Sequence, residues 1–243
     1  MISERDIAEK FSVIWKQNFP LLSPNFIRVF NETQIEVVNP NPVSTVDDVR
    51  YDLVSEAAFN YSKIIFENKI KAVDFLSDKN NLDLLIVQTL KDIGKDETHV
   101  AVDSILTENE LQEIIKLSDN TLEFIDKTKG KDITFKPKLK GYGFISDLEA
   151  DLSIDDTLFE IKTVTRNFKS SDLKQLFIYL ALRQVSDSSN WKYAGLYNPR
   201  KGTFGKFNVK NIIYNLSGGK TTNEAFENLL NGLVRDMEID SKF

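Results

Sequence analysis

The chain has no cysteine and a single histidine, His99. The first absence removes disulfides, thiolate catalysis and cysteine-ligated zinc, and it fits a reducing compartment. The second removes HEXXH zinc proteases, which need two histidines, and leaves little room for Ser-His-Asp hydrolases or a histidine-based metal nuclease. His99 reads as a surface or partly packed residue. No apolar run approaches the roughly 20 residues that cross a bilayer. The amino terminus, MISERDIAEKFSVIW, mixes acids and bases and lacks the apolar centre of a secretory leader. A cytoplasmic protein with no membrane partner is therefore expected. An excess of positive charge is also lacking: 31 Lys and Arg against 37 Asp and Glu give a net charge of −6. That excludes the broad basic footprint of a passive nucleic-acid binder, but not local basic loops beside a metal site. There is no internal repeat and no low-complexity tract.

The 243 residues are 41% hydrophobic and 28% charged, an ordinary globular composition able to bury one sizeable core. Periodicity divides a single domain spanning residues 1–243 into a mainly helical part over 1–131, a sheet core over 132–209 and a closing helix over 220–238. Residues 3–17 form an amphipathic helix capped by Ser3, with Ile7, Phe11, Ile14 and Trp15 on one stripe. IRVFNETQIEVV suggests a short hairpin ahead of the NPNPVSTVDD loop. The strongest helix pattern covers residues 50–70, with Leu53, Val54, Ala57, Ala58, Tyr61, Ile64 and Ile65 on its buried side. Glu56 and Asn60 sit four apart at the edge of that side, as solvated polar residues or as a reach toward a site. Helices follow over 80–93 and 107–127, the latter opened by Thr107 and Glu110 in capping-box spacing. Strand signals cover 132–139, 143–154, 157–164 and 192–209. In the first, Lys136, Lys138 and Lys140 recur every second residue, which marks a charged edge strand or a row of phosphate contacts.

The stretch GFISDLEADLSIDDTLFEIKT, residues 143–163, carries the chemistry. It reads as an antiparallel hairpin turning at Asp155-Asp156. Counting back pairs Ile154 with Thr157, Leu152 with Phe159, Asp151 with Glu160 and Glu149 with Lys162. Alternation then puts Asp147, Glu149, Asp151, Glu160 and Lys162 on one face, and Leu148, Ala150, Leu152, Phe159 and Ile161 on the other. Four carboxylates on one face repel, and a bound cation relieves the repulsion; hard oxygen ligands at this density suit Mg²⁺ or Mn²⁺. An acid two residues before a lysine occurs four times in the chain, but only Glu160 and Lys162 lie on a strand, where such residues share a face. A helix with Gln175 and Tyr179 four apart follows them.

This layout resembles the PD-(D/E)XK nuclease superfamily, and within it the RecB-like branch: a glycine-led strand with an aspartate, a strand with (D/E)-x-K, and a helix with Q-x-x-x-Y. Gly143 and Asp147 in GFISD, Asp151 in EADL, Glu160 and Lys162 in EIK, and Gln175 and Tyr179 in QLFIY carry the resemblance. It covers residues 132–182, and reaches helix 50–70 through Glu56, where the family often has an acid. The proline expected before the first aspartate is absent. Both Asp147 and Asp151 fit the first acid position, and cross-strand pairing favours Asp151.

The resemblance implies an α/β fold with a mixed central sheet flanked by helices, with additional N-terminal helices. It implies a metal-dependent phosphodiester hydrolase with Asp151, Glu160, Lys162, Gln175 and Tyr179 as catalytic residues. Asp151, Glu160, Asp147 and Glu56 would be the ligands of Mg²⁺ or Mn²⁺. DNA is favoured over RNA as substrate, in repair, restriction or phage defence, with a protein partner supplying target recognition. Arg166, Lys169, Arg200 and Lys201, in loops flanking the hairpin, are the expected phosphate contacts. Two alternatives stay open: a catalytically weak nucleic-acid-binding or assembly subunit of the same fold, and an interaction protein whose acidic hairpin is only a solvated face.

Overall fold

The computed structural model describes residues 4–71, 74–75, 78–94, 105–186 and 190–240. Ser3 and His99 lie outside these residues. The architecture is α/β. A six-stranded mixed sheet contains β1 (Ile35–Val37), β2 (Ile133–Phe135), β5 (Leu152–Ile154), β6 (Thr157–Ile161), β7 (Tyr193–Asn198) and β8 (Thr203–Asn208), in the order β1-β8-β7-β6-β5-β2. A separate two-stranded ribbon pairs β3 (Lys138–Leu139) with β4 (Leu148–Glu149). All sheet neighbours are antiparallel except β6 and β7. Parallel neighbours need a crossover, and helix α7 (Ser170–Ser186) provides it.

Turn chemistry sets the register at the centre. Asp155 adopts φ 51°, a left-handed conformation that Asp tolerates, and its Oδ1 accepts the amides of Lys131 and Asp132 at 2.9 Å each. Leu152 pairs with Phe159 and Ile154 with Thr157, the register counted from the sequence. The pairing then departs from expectation. Lys136 has φ 49° and precedes Pro137, which interrupts the expected 132–139 strand. The opposite strand bends with it: Glu149 pairs with Lys138 rather than with Lys162.

Both faces of the sheet are covered. Leu158 joins Leu173, Leu176 and Phe177 of α7, with Leu229, Leu230 and Leu233 of α9 (Thr222–Asp240) behind them. On the opposite face Leu152, Ile154, Phe159 and Tyr197 meet Phe59 of α4 (Tyr51–Asn68) and Phe124 of α6 (Glu108–Thr128). Phe124 stacks on Tyr197 with ring centroids 4.0 Å apart. Helix α5 (Lys79–Asp92) packs on α4 in a satellite cluster.

The N-terminal expectations are corrected in two places. Residues 4–18 form two helices, α1 (Glu4–Lys10) and α2 (Ser12–Asn18), because Phe11 leaves helical geometry at φ −87°, ψ 53°. The expected hairpin at 27–38 is instead helix α3 (Pro24–Thr33) followed by the edge strand β1. Ser23 caps α3 by accepting the Phe26 amide, and Pro24 occupies its first turn, both favourable helix starts. Helix α8 (Val209–Leu216), capped by Asn208, separates β8 from α9.

Candidate active site

Alternation along β6 puts Leu158, Glu160 and Lys162 on the face that α7 covers. Glu160 is only 2% exposed. Its Oε1 lies 2.6 Å from Lys162 Nζ. The same ammonium donates to Gln175 Oε1 at 2.6 Å, and Gln175 Nε2 donates to the Tyr179 hydroxyl at 2.9 Å. Gln175 and Tyr179 are one helical turn apart, so α7 presents them together above the lysine. Asp151 sits at the bend between β4 and β5, and its Oδ2 accepts the Ile161 amide at 2.6 Å. A side chain thus takes a backbone donor at the point where β5 has turned away, and this fixes the carboxylate beside Glu160.

The electrostatics follow from that crowding. Burial, then the neighbouring Asp151 charge, raises the Glu160 carboxyl well above the usual range, against the pull of Lys162. Asp151 is raised too, chiefly by loss of solvent, although an edge of it remains exposed; Lys162 and the Ile161 amide oppose the shift, while Glu56 adds to it. Glu160 Oε2 is buried with no hydrogen-bond donor. Both carboxyls are thus pushed toward their neutral forms by the same crowding, which a bound cation would relieve. Burial alone would lower Lys162, but Glu160 and Asp151 outweigh it and keep the ammonium charged. Tyr179 is pushed up by burial and by the same two carboxylates, so it is a neutral phenol at physiological pH.

Five predicted residues therefore meet: Asp151, Glu160, Lys162, Gln175 and Tyr179. Glu56 approaches from α4 near enough for its charge to act on Asp151, but its Oε1 accepts from Lys136 Nζ at 3.0 Å. Asp147 does not share the face assigned to it. It is exposed in the turn joining β3 to β4, and its Oδ1 accepts the Gly141 amide at 2.8 Å. Glu149 is exposed on β4 opposite Lys138. Both corrections have one cause, the switch of pairing from β6 to β3. Gly143 leads no strand; it sits at φ 58° within the tight Tyr142–Ile145 turn.

The expected phosphate contacts divide. Arg200 is corrected outright: it is 3% exposed, pairs with Glu113 at 2.7 Å and lies 5.1 Å from the Tyr51 ring centroid. It is a structural cation inside the protein. Arg166 is committed in part, as a fork on buried Asp172 at 2.7 and 2.9 Å. Lys201 Nζ donates to Asn167 at 3.1 Å, and Lys169 is exposed. The lysine row is broken as well, because the backbone of Lys136 turns its side chain to Glu56 while Lys138 and Lys140 stay exposed.

Among the described residues no group of three or more His, Cys, Asp or Glu side chains is arranged to hold a metal ion. The pair Asp151 and Glu160 nevertheless fits a hard divalent cation. Both are oxygen donors, one buried oxygen has no donor, and Mg²⁺ commonly binds through one or two carboxylates with water and phosphate completing its shell. No helix among the described residues is long and apolar enough to cross a membrane. Comparisons with protein-family models, with curated proteins and with solved structures give no match for this chain.

Proposed function

We propose that this chain is a Mg²⁺- or Mn²⁺-dependent nuclease of PD-(D/E)XK type, RecB-like, acting on DNA in preference to RNA. The observation that carries the reading is the buried Glu160 oxygen with no donor, beside Asp151 and next to a charged lysine. Folding such an arrangement without a cation costs free energy, because like charges are desolvated together. The order of parts supports it: an acid at the β5 bend, E-I-K on β6, and Gln175 and Tyr179 on the helix that covers them.

Asp151 and Glu160 would hold the cation, with Glu56 as a further carboxylate whose charge acts on Asp151. When bound, the cation supplies Lewis acidity toward the phosphate and acidifies the attacking water. The chain does the rest. The Ile161 amide orients Asp151. Gln175, steadied by Tyr179, holds Lys162 in place. Lys162, kept protonated by its neighbours, donates to the phosphate oxygens as negative charge develops. Exposed Lys169 and the partly committed Lys201 and Arg166 are the candidate backbone contacts. Cytoplasmic repair, restriction or phage defence, with a protein partner for target choice, suits a chain of net acidic charge.

The purified protein should cleave DNA only with Mg²⁺ or Mn²⁺ present, assayed on circular, linear and single-stranded DNA and on RNA. Glu160→Gln and Lys162→Met should each lower the rate by at least roughly 100-fold. Cleavage at the parent rate by both variants would remove the assignment. One observation favours a catalytically weak binding or assembly subunit: Lys162 already occupies Glu160 Oε1, and among the described residues no third acid is arranged with the pair to hold a metal. That reading expects DNA binding without cleavage under every metal condition.

A further inference from the structure

Phe144 has no part in the nuclease reading, and its setting is unusual for an apolar side chain. It is 57% exposed, the one exposed phenylalanine among the described residues. It sits at the tip of the β3–β4 ribbon, where turns ordinarily carry glycine and polar residues. The residues around it are all held inward. The Tyr142 and Ile145 backbones exchange hydrogen bonds at 2.9 and 3.0 Å, and the Tyr142 hydroxyl donates to Asn231 Oδ1 on α9 at 2.8 Å. Ile145 is buried in the core. A Cβ on Gly143 would meet Val234 of α9 at 2.7 Å, and one on Gly141 would meet the Ile145 carbonyl oxygen at 2.2 Å, so only glycine lets the turn lie this close. The turn is pinned on every side, and it presents one aromatic ring to solvent.

The ribbon also lies beside the candidate centre. Strand β3 packs on α7, the helix that carries Gln175 and Tyr179, and β4 runs through Ala150 into Asp151. Seven residues separate Phe144 from Asp151, so the two lie no more than about 25 Å apart. Lys138 and Lys140 are exposed, on the side of β3 opposite buried Leu139. Glu149 stands across from Lys138, whereas Lys140 lies beyond the paired residues. We infer that Phe144 stacks on an unpaired base, with Lys140 on a neighbouring phosphate, so that the site takes DNA with a single-stranded segment. This rests on the nuclease reading and deepens it by naming the form of the substrate. The face of a base is open to a side chain only where the base is unpaired or ends a duplex. An outward ring with a cation a few residues away is the combination by which proteins hold single strands without reading their sequence.

The test is binding of a labelled oligothymidylate and, separately, of a relaxed, covalently closed duplex circle in Mg²⁺ buffer. Glu160→Gln is the background, so that DNA is bound without being cut. It is compared with the same protein carrying Phe144→Leu, Phe144→Trp or Lys140→Gln. Leucine keeps the apolar bulk and removes the π face. Phe144→Leu should weaken oligothymidylate binding about tenfold and leave the closed circle unchanged. Phe144→Trp should keep the affinity, and oligothymidylate should quench its fluorescence beyond any change in Trp15 and Trp191 seen with Phe144 in place. Lys140→Gln should weaken both forms and lower the single-strand salt slope by about 0.7. Unchanged oligothymidylate affinity in Phe144→Leu, an equal loss for both forms, or an unquenched tryptophan overturns the inference, while metal-dependent cleavage by the parent protein keeps the nuclease reading. Binding that depends on Phe144, with no cleavage by the parent, sustains the stacking and overturns the nuclease reading. No binding of either form and no cleavage overturns both.

Discussion

Glu110 and Glu160 are both buried glutamates, 0% and 2% exposed, and they behave in opposite ways. Glu110 opens α6. Burial pushes its carboxyl up, but it accepts from Arg50 Nε and Nη2 at 2.7 Å each and from the amides of Arg50 and Thr107 at 3.0 Å. The donors win, and the pKa falls from 4.5 to about 2. Glu160 has one ammonium on one oxygen, a second carboxylate alongside and no donor on the other oxygen, and its pKa rises. Burial is common to both, so it does not mark a site. The number of donors per carboxylate is what separates these two. Glu110 is built to be ionised in the resting protein, whereas Glu160 is built to be completed by something else.

Glu113 extends the comparison and gives the largest expected effect. It shares the Glu160 pattern of one close cation and one oxygen without a donor, but its cation is the buried Arg200 guanidinium. Arg200→Met would leave a buried carboxylate uncompensated, and urea unfolding should show a loss of about 3–5 kcal/mol. A loss below ~1 kcal/mol would restore Arg200 as a surface residue free to meet phosphate.

Glu110→Gln comes next. The fall in pKa from 4.5 to about 2 corresponds to at most about 3.5 kcal/mol, at roughly 1.4 kcal/mol per pKa unit. A carboxyl with a depressed folded pKa stabilises above its unfolded value. That stability is lost as pH falls from 4.5 toward about 2. The parent should therefore lose stability through this window more steeply than Glu110→Gln, as followed by denaturant unfolding at a series of pH values. Parallel curves would show that the Arg50 and Thr107 contacts contribute little.

Glu160→Gln should have the smallest effect on metal-free stability, and of the opposite sign. A carboxyl with a raised folded pKa binds a proton more tightly in the native state than in the unfolded one. The parent then loses stability as pH rises above 4.5, and the glutamine variant does not. In metal-free buffer at neutral pH the variant should equal the parent or exceed it by up to about 1 kcal/mol. A clear loss would mean that Glu160, like Glu110, is satisfied by contacts within the protein.

The sequence made legible whatever was local and periodic. The hairpin register needed only the Asp155-Asp156 turn and alternation, and it places Glu160 and Lys162 together. Thr107 and Glu110 form their capping box as spaced. Gln175 and Tyr179 share a face because helices repeat. What stayed hidden depends on distant partners. Arg200 looked like a loop cation because its counterion lies 87 residues upstream. Asp147 and Glu149 looked like site residues because nothing in alternation shows that a strand changes partners midway. Lys136-Pro137 did carry a signal, since a proline within a strand pattern marks a break. Ser23-Pro24 likewise announced a helix start where a hairpin was expected.

The central claim is that Glu160 waits for a divalent cation, and thermal unfolding with and without Mn²⁺ tests it most directly. A ligand that binds only the folded state raises Tm with its concentration. The parent protein should show a saturable rise in Tm with Mn²⁺, and Glu160→Gln, starting from an equal or higher Tm, should show none. An equal Mn²⁺-dependent rise in both proteins, or no rise in the parent, would contradict the account.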